Sequence, residues 1–340
     1  MDYKYLKTKQ VNASLWVEIH NPPVNFLTMD ICEELFRLVK KVKKDPSIRV
    51  FILTGGMEDN FIMHFSIPEL KKITPDNRKI LMNLIFRSRL TGVLMKYLTT
   101  FTSWQMDWIP GYEKLMLLLT KAMRRYSSTL FLWFQMHRLY LAIERLPKIT
   151  IAAINGSCNG GGTEISACFD FRYMIHDQDF TIGQPEVLVG IIPGGGGSQR
   201  LPRLIGKAKA LEFMLTGNQL SPVEAKKIGL ITDSFKKSEF FENIQAIADQ
   251  MSRRIPIAVE GIKLAVHEGL EAPFRHALSI EMEQTIRCFD NPVTQSALSG
   301  YGEIIKDKVE VPKERRIHIK EVVDMLQSEA FFKQTQGEEI

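Results

Sequence analysis

The sequence predicts an α/β protein, and three observations predict it. The first 60 residues read strand, helix, strand. Residues 148–154 form an apolar run of strand length that leads into a glycine turn and then a helical stretch. Short strand patterns and helical patterns go on alternating to about residue 235, an order that builds sheets covered by helices.

Each element has its own signal. Residues 14–19, Ser-Leu-Trp-Val-Glu-Ile, alternate as a half-buried strand does, and His20-Asn21-Pro22-Pro23 ends the run. Over 29–42, Ile31, Leu35, Leu38, Val39 and Val42 fall on one helical face. Thr28 and Asp30 are both suitable caps for that helix. Lys40, Lys41, Lys43 and Lys44 place positive charge at its negative end, and Asp45-Pro46 stops it. Residues 50–54, Val-Phe-Ile-Leu-Thr, bounded by Gly55-Gly56, read as a buried strand.

Residues 66–148 are mostly helical in pattern, with breaks at Pro75 and Pro110. After the strand at 148–154 come Gly160-Gly161-Gly162 and a helical start at Glu164, then strands at 171–175 and 179–182. Helical patterns fill most of 198–290, interrupted at 217–222 and by a strand at 230–235. A charge-dense stretch at 306–316 precedes a last helical pattern over 317–332, whose simplest role is a docked terminal helix.

Composition narrows the function classes. The chain has 340 residues, 44 Lys and Arg against 39 Asp and Glu, 45% apolar and 24% charged residues, all ordinary for a globular protein. No secretory signal is visible after Met1, and no stretch of about 18 uncharged apolar residues suggests a spanning helix. Cys32, Cys158, Cys168 and Cys288 show neither a CxxC spacing nor a paired framework, which predicts a reducing, cytoplasmic setting and no cysteine-based zinc site. No His/Cys/Asp cluster has ligand spacing, so no metal is expected. A net charge of +5 does not predict nucleic-acid binding.

That charge is concentrated. Residues 71–126 hold eleven basic residues against three acidic ones, a local surplus of eight that leaves the rest of the chain at −3. Seven aromatic residues, Trp104 and Trp108 among them, and five methionines share the segment. It reads as an extra helical layer, as a lid over a bulky group, or as a docking face for something acidic such as a carrier protein or membrane surface.

The densest chemical signal lies between 149 and 206. Gly160-Gly161-Gly162 allows close backbone approach, and the helix after it offers free N–H groups. Glu164 stands in that helix, and Glu186 follows Pro185 shortly before the four glycines 194–197. Two carboxylates near glycine turns suit acid–base chemistry beside an oxyanion hole. Residue types alone leave two plainer readings open: Glu164 as a charge favoured at a helix N-terminus, and Glu186 as a solvated loop residue. The glycine run lacks the Gly-Lys-Ser/Thr ending of a phosphate-binding loop.

The runs Ile151-Ala-Ala-Ile-Asn-Gly156, Gly160-Gly-Gly-Thr-Glu164, Gly183-Gln-Pro-Glu-Val187, Gly190-Ile-Ile-Pro-Gly194 and Gly197-Ser-Gln-Arg-Leu201 stand in order. Asn21-Pro-Pro-Val-Asn25 precedes them, and Leu215-Thr-Gly217 and Ala225-Lys-Lys-Ile-Gly-Leu230 follow. Together they resemble the crotonase (enoyl-CoA hydratase/isomerase) superfamily over about 10–70 and 140–290. The resemblance implies a crotonase-like core of stacked ββα turns over 1–240, carrying the enlarged helical insertion at 71–126. It also implies a C-terminal helical region over 241–340 for oligomerisation and closure of the site, and a homotrimer or dimer of trimers.

For chemistry, the resemblance implies hydration of a 2-enoyl thioester of coenzyme A, with coenzyme A as part of the substrate and no separate cofactor. An acyl-carrier thioester is the variant substrate. Isomerase, decarboxylase or C–C hydrolase activity on the same scaffold is the alternative, and a non-catalytic thioester-binding protein a remoter one. The implied catalytic pair is Glu164 and Glu186. The implied oxyanion donors are the N–H groups of Phe65 and Gly161, with Gly194 placing the water through its backbone. Phe61, Ile62, Met63 and Gly160 are implied at the coenzyme A and acyl channel. His64-Phe65-Ser66 departs from the small residues and aspartate usual at that loop. His64 is then either a structural histidine bonded to a nearby carbonyl or a contact to the thioester.

Overall fold

The structure is a computed structural model that describes residues 3–73, 115, 118, 128–309 and 319–336. The basic segment 71–126 and the helical insertion expected there lie outside the described residues, apart from 71–73, 115 and 118. The charge-dense stretch lies outside them from residue 310 onward.

Two sheets form the frame. The larger holds β1 (Leu6–Val11), β2 (Ser14–Ile19), β3 (Val50–Gly55), β5 (Ile149–Ile154), β7 (Phe171–Ile175) and β10 (Asp233–Phe235), in that spatial order. β1 and β2 are antiparallel, and every later neighbour is parallel. The smaller sheet runs β4 (Asn60–Ile62), β6 (Ser157–Asn159), β8 (Ile182–Gly183) and β9 (Gln219–Leu220). β3 therefore feeds the large sheet and β4 the small one, and β5–β6 and β7–β8 repeat the step. Helices complete the turns: α1 (Met29–Lys44) precedes β3, and α2 (Ile67–Ile73) follows β4. α3 (Ser128–Glu144) enters β5, and α4 (Gly161–Ser166) follows β6. This is the ββα spiral that the sequence resemblance implied.

The local reasons are plain. Every residue of β3 and β5 is buried, which is why both read as continuous apolar runs rather than alternating ones. Thr28 caps α1, its hydroxyl accepting from the Ile31 N–H at 3.3 Å, while Asp30 lies inside the first turn as a favourable charge. Asn155 bridges β3 and β5, its Oδ1 accepting from the Gly55 N–H at 2.9 Å and its amide donating to the Gly55 carbonyl at 3.0 Å.

Four details differ from the sequence reading. β1 was not anticipated: it is an edge strand with four exposed residues in a row, so it shows no alternation. It is tied to β2 by a tight turn in which Asn12 takes a left-handed φ of 52°. The strand expected over 179–182 shrinks to Ile182–Gly183, because only those residues meet β6 and β9. The strand expected over 230–235 begins at Asp233, because the N–H groups of Leu230 and Ile231 both return to the Ala225 carbonyl. The last helical pattern is two helices, α12 (Ile319–Leu326) and α13 (Glu329–Gln336), parted where the Ser328 hydroxyl accepts from the Phe331 N–H.

The remaining helices are α5 (Gly197–Ile205), α6 (Lys207–Thr216), α7 (Pro222–Lys227), α8 (Phe240–Ser252), α9 (Pro256–Gly269), α10 (Phe274–Phe289) and α11 (Pro292–Val309). α8 stands at the expected boundary near 240, and it buries Phe240, Ile244 and Ala248 completely in the main core. Those residues recur every fourth position, so one face of α8 covers the large sheet. Phe240→Ala should therefore lower global stability by about 3–5 kcal/mol in one cooperative transition. Denaturant unfolding followed by far-ultraviolet circular dichroism measures it; a loss confined to a separate, earlier transition would show a C-terminal unit that folds independently.

Candidate active site

The site forms where β4, β6 and β8 end at one edge of the small sheet. Asn25 anchors the entry: it is fully buried, and its amide reaches the carbonyls of Asn60 and Phe61 at 3.2 Å each. Leu27 then pairs with the loop after β4, its N–H donating to the His64 carbonyl at 2.9 Å and its carbonyl accepting from the Ser66 N–H at 2.8 Å. Extended backbone alternates the direction of its polar groups, so the Phe65 N–H between them points away from Leu27. It faces Gly161, where an added Cβ would lie 3.3 Å from the Phe65 nitrogen. Gly161 is the first residue of α4, where N–H groups have no intrahelical partner. The two N–H groups expected as oxyanion donors are thus neighbours.

Gly160, which caps α4, has a left-handed φ of 49°, and a Cβ there would come within 2.8 Å of Glu186 Oε1. Glycine at 160 is thus what lets the second carboxylate close on the donors. Glu186 lies in a short 3₁₀ turn, Pro185–Val189, and its Oε1 accepts from the Gln184 amide at 2.9 Å. Its Oε2 is buried with no hydrogen-bond partner among the described residues, and so is Gln184 Oε1. Orphaned buried acceptors of this kind mark a place for a polar ligand or a water.

Glu164 projects from the first turn of α4 and is only 2% exposed. Its Oε1 accepts from the Gly197 N–H at 2.9 Å, and Gly195 stands against its Oε2, which a Cβ there would approach to 2.7 Å. Burial raises its pKa to about 8, and the neighbouring Glu186 charge pushes the same way; the glycine N–H groups and Arg200 oppose the rise. Burial also raises the pKa of Glu186, with Gln184 and His64 opposing. Glu164 thus keeps a proton near neutrality, chiefly through burial, with the Glu186 charge adding to the effect.

The other expected positions are less uniform. The side chains of Phe61 and Ile62, expected at the channel, are wholly buried in the core, as in a strand covered on both faces. Met63 is half-buried, and its sulfur receives the Asn159 amide at 3.8 Å. His64 is half-buried against Phe26, with Nδ1 2.7 Å from the Phe65 carbonyl. A carbonyl only accepts, so Nδ1 is the donor, and the ring stands beside Glu186. Gly194 is exposed; the inward-facing N–H groups of the glycine run belong to Gly195 and Gly197, which sequence reading passed over. Also unforeseen are His137 and Tyr140 of α3, which close the run from behind.

Comparison with known proteins identifies the family and agrees with the fold. The family model for enoyl-CoA hydratase/isomerase matches residues 118–310, and the chain belongs to that family of enzymes. A short-chain-enoyl-CoA hydratase of Clostridium acetobutylicum is 29% identical over 303 residues, covering 88% of this chain and 94% of the relative. A crotonyl-CoA hydratase of Syntrophomonas wolfei is 35% identical over 166 residues, 49% of this chain and 63% of that protein. The solved structure of an enoyl-CoA hydratase from Geobacillus kaustophilus superimposes with a TM-score of 0.71 at 25% identity, covering 89% of this chain and 95% of that one.

The raised pKa of Glu164 also sets a stability trend. An acid whose folded pKa lies above its unfolded value stabilises the fold below the unfolded pKa and loses that contribution as pH rises towards the folded value. Glu164→Gln, which has no proton to lose, should gain stability over the wild type progressively from about pH 4.5 to about pH 8, then keep a constant lead. Denaturant unfolding at a series of pH values tests this; a difference independent of pH would contradict it.

Proposed function

We propose that the protein hydrates a 2-enoyl-CoA to the 3-hydroxyacyl-CoA. The observation that carries the proposal is a buried Glu164 and a half-buried Glu186 beside two neighbouring backbone donors, one in the loop after β4 and one on the glycine turn. The thioester carbonyl would lie between the N–H groups of Phe65 and Gly161. Attack of water at Cβ drives an electron pair onto that oxygen, and fixed donors meet the charge as it grows. Coenzyme A enters as part of the substrate.

Each carboxylate has an assigned task. Glu164 assists the attacking water at Cβ, and Glu186 delivers the proton to Cα. Burial places the resting proton on Glu164, and a water bridging the pair lets the two share it, so they titrate as one unit. The active form carries one proton. His64 stands beside Glu186 at the mouth of the oxyanion loop, where its exposed edge would shape the acyl channel.

The test is direct. Purified protein should reduce the enoyl absorbance of crotonyl-CoA, and Glu164→Gln and Glu186→Gln should each lower kcat by about 10²- to 10⁴-fold. kcat/KM reports the free enzyme and should fall as pH rises through about 8, where the pair loses its last proton. Untouched 2-enoyl-CoA of every chain length would sink the proposal. Conversion of a 3-enoyl-CoA with rising absorbance, and no hydration, would assign isomerisation instead.

We infer that the chain works as a trimer or a dimer of trimers. Support comes from exposed apolar rows at helical spacing: Ile262 and Val266 on α9 with Leu270 just past its end, and Phe274, Leu278, Met282 and Ile286 on α10. Such rows need covering, and a second copy supplies it. Sedimentation equilibrium should give a multiple of three chains; a monomer at micromolar concentration would overturn this.

A further inference from the structure

The glycine run 194–197 faces two ways. The Gly197 N–H donates inward to Glu164 Oε1. Gly195 stands against the other carboxylate oxygen, where an added Cβ would lie 2.7 Å from Oε2 and where its N–H favours the charged form. The run's carbonyls at Gly194 and Gly195 turn outward, and each meets a side-chain donor. The Gly194 carbonyl lies 3.2 Å from His137 Nε2, and the Gly195 carbonyl accepts from Arg200 Nη1 at 3.0 Å. Arg200 is itself fixed by a two-point pair with Glu144, Nε to Oε1 at 2.5 Å and Nη2 to Oε2 at 2.9 Å. At Gly196 the φ is 97°, and a Cβ would meet Arg200 Nη1 at 2.1 Å.

The carbonyl of one residue and the N–H of the next belong to a single planar unit and point in opposite directions. The bond from His137 to the Gly194 carbonyl therefore aims the N–H of Gly195 across the same peptide. Glycine has no side chain and the widest backbone freedom, so four in succession do not hold a direction by themselves. The orientation has to come from outside the run. Trp133, one helical turn before His137 on α3, stacks against its ring at 4.3 Å and limits its rotation.

We propose that His137 is a positioning residue, whose neutral imidazole holds the Gly194 carbonyl so that the next N–H stays aimed at the Glu164 carboxylate. This rests on the reading of Glu164 as a proton-handling group. The protonation state fits: burial first, then the Arg200 charge, pushes the His137 pKa down to about 4, against the Gly194 bond and the Glu144 charge. Near neutrality the ring has one N–H, and facing a carbonyl it belongs on Nε2.

The groups facing Glu164 are Glu186 from the 3₁₀ turn, Tyr140 from α3, Arg200 from α5 and Cys168 just after α4, besides the glycine N–H groups. Substitution of His137 leaves all of these side chains in place. Losing an aimed donor removes support from the carboxylate form alone, so the apparent pKa of Glu164 should rise.

The experiment compares wild type with His137→Leu and His137→Gln; the glutamine amide can restore a donor near the Nε2 position. In substrate-free protein with carbon-13 at the glutamate side-chain carboxyls, the Glu164 resonance is assigned by its loss in Glu164→Gln. Its titration should move to higher pH in the leucine variant and return in the glutamine variant. With crotonyl-CoA, the leucine variant should lose about tenfold in kcat, below the roughly hundredfold that a 1 Å misplacement costs, with KM within about twofold. The glutamine variant should recover most of the loss. If the leucine variant does not fold, His137→Asn, too short to reach Gly194, takes its place. An unmoved Glu164 titration overturns the proposal, as does a glutamine variant as impaired as leucine in both readouts. A shifted titration in protein that turns over no enoyl-CoA upholds the role of His137 and removes the hydratase reading.

Discussion

A carboxyl group taken out of water must be given hydrogen-bond donors or keep its proton, and Glu164 is held between those outcomes. At 2% exposure it is pushed toward the protonated form, yet two backbone N–H groups favour the charged one. Much of the local architecture serves that balance. α4 carries the residue, the run 194–197 supplies the donors, and α5 begins at Gly197 so that an N–H without a helical partner is available. Glycine is what the run needs: a Cβ at Gly195 or Gly197 would crowd the Glu164 carboxylate, and Gly196 turns the chain into α5 at a φ of 97°.

The side of the site proposed to bind the oxyanion follows a similar economy. Neither donor is a side chain, so the bulk of Phe65 does not interfere with its N–H, and the phenyl ring is itself buried. What the loop needs is a fixed backbone direction, and the pairing of Leu27 with its neighbours provides it. The unusual His64-Phe65-Ser66 sequence therefore changes what surrounds the donors, with their placement intact. The His64 ring, leaning on Phe26 and standing beside Glu186, is the clearest mark of that change.

Much of this was legible in the sequence because it depends on short-range pattern. The buried strands β3 and β5, α1 with its Thr28 cap, and the triple glycine followed by Glu164 each show within a window of a dozen residues. Their order along the chain carried the family resemblance. What escaped was set by distant partners. β1 is held by β2 and a tight turn and has no apolar pattern of its own. Gly195 and Gly197 matter because the Glu164 carboxylate, more than 30 residues away, packs against both of them. His137 lies 57 residues from the carbonyl it meets, on a helix whose apolar run gave no reason to single out one imidazole. Phe61 and Ile62 differ because the strand that carries them is covered on both faces, which a three-residue strand does not reveal in its sequence.

The spiral gives one strand to each sheet per turn, and each turn is completed by helix before the next strand begins. α2 and α3 pack on one another, so the chain that leaves the first comes back to a neighbour of its point of departure. Closing a segment between two anchors costs an entropy that grows only with the logarithm of its length. The junction between α2 and α3 is therefore a place where evolution can lengthen the chain without shifting the register of any strand or moving a donor. A lineage can change what meets the open face of the enzyme while the carboxylate pair and its glycine supports are inherited untouched.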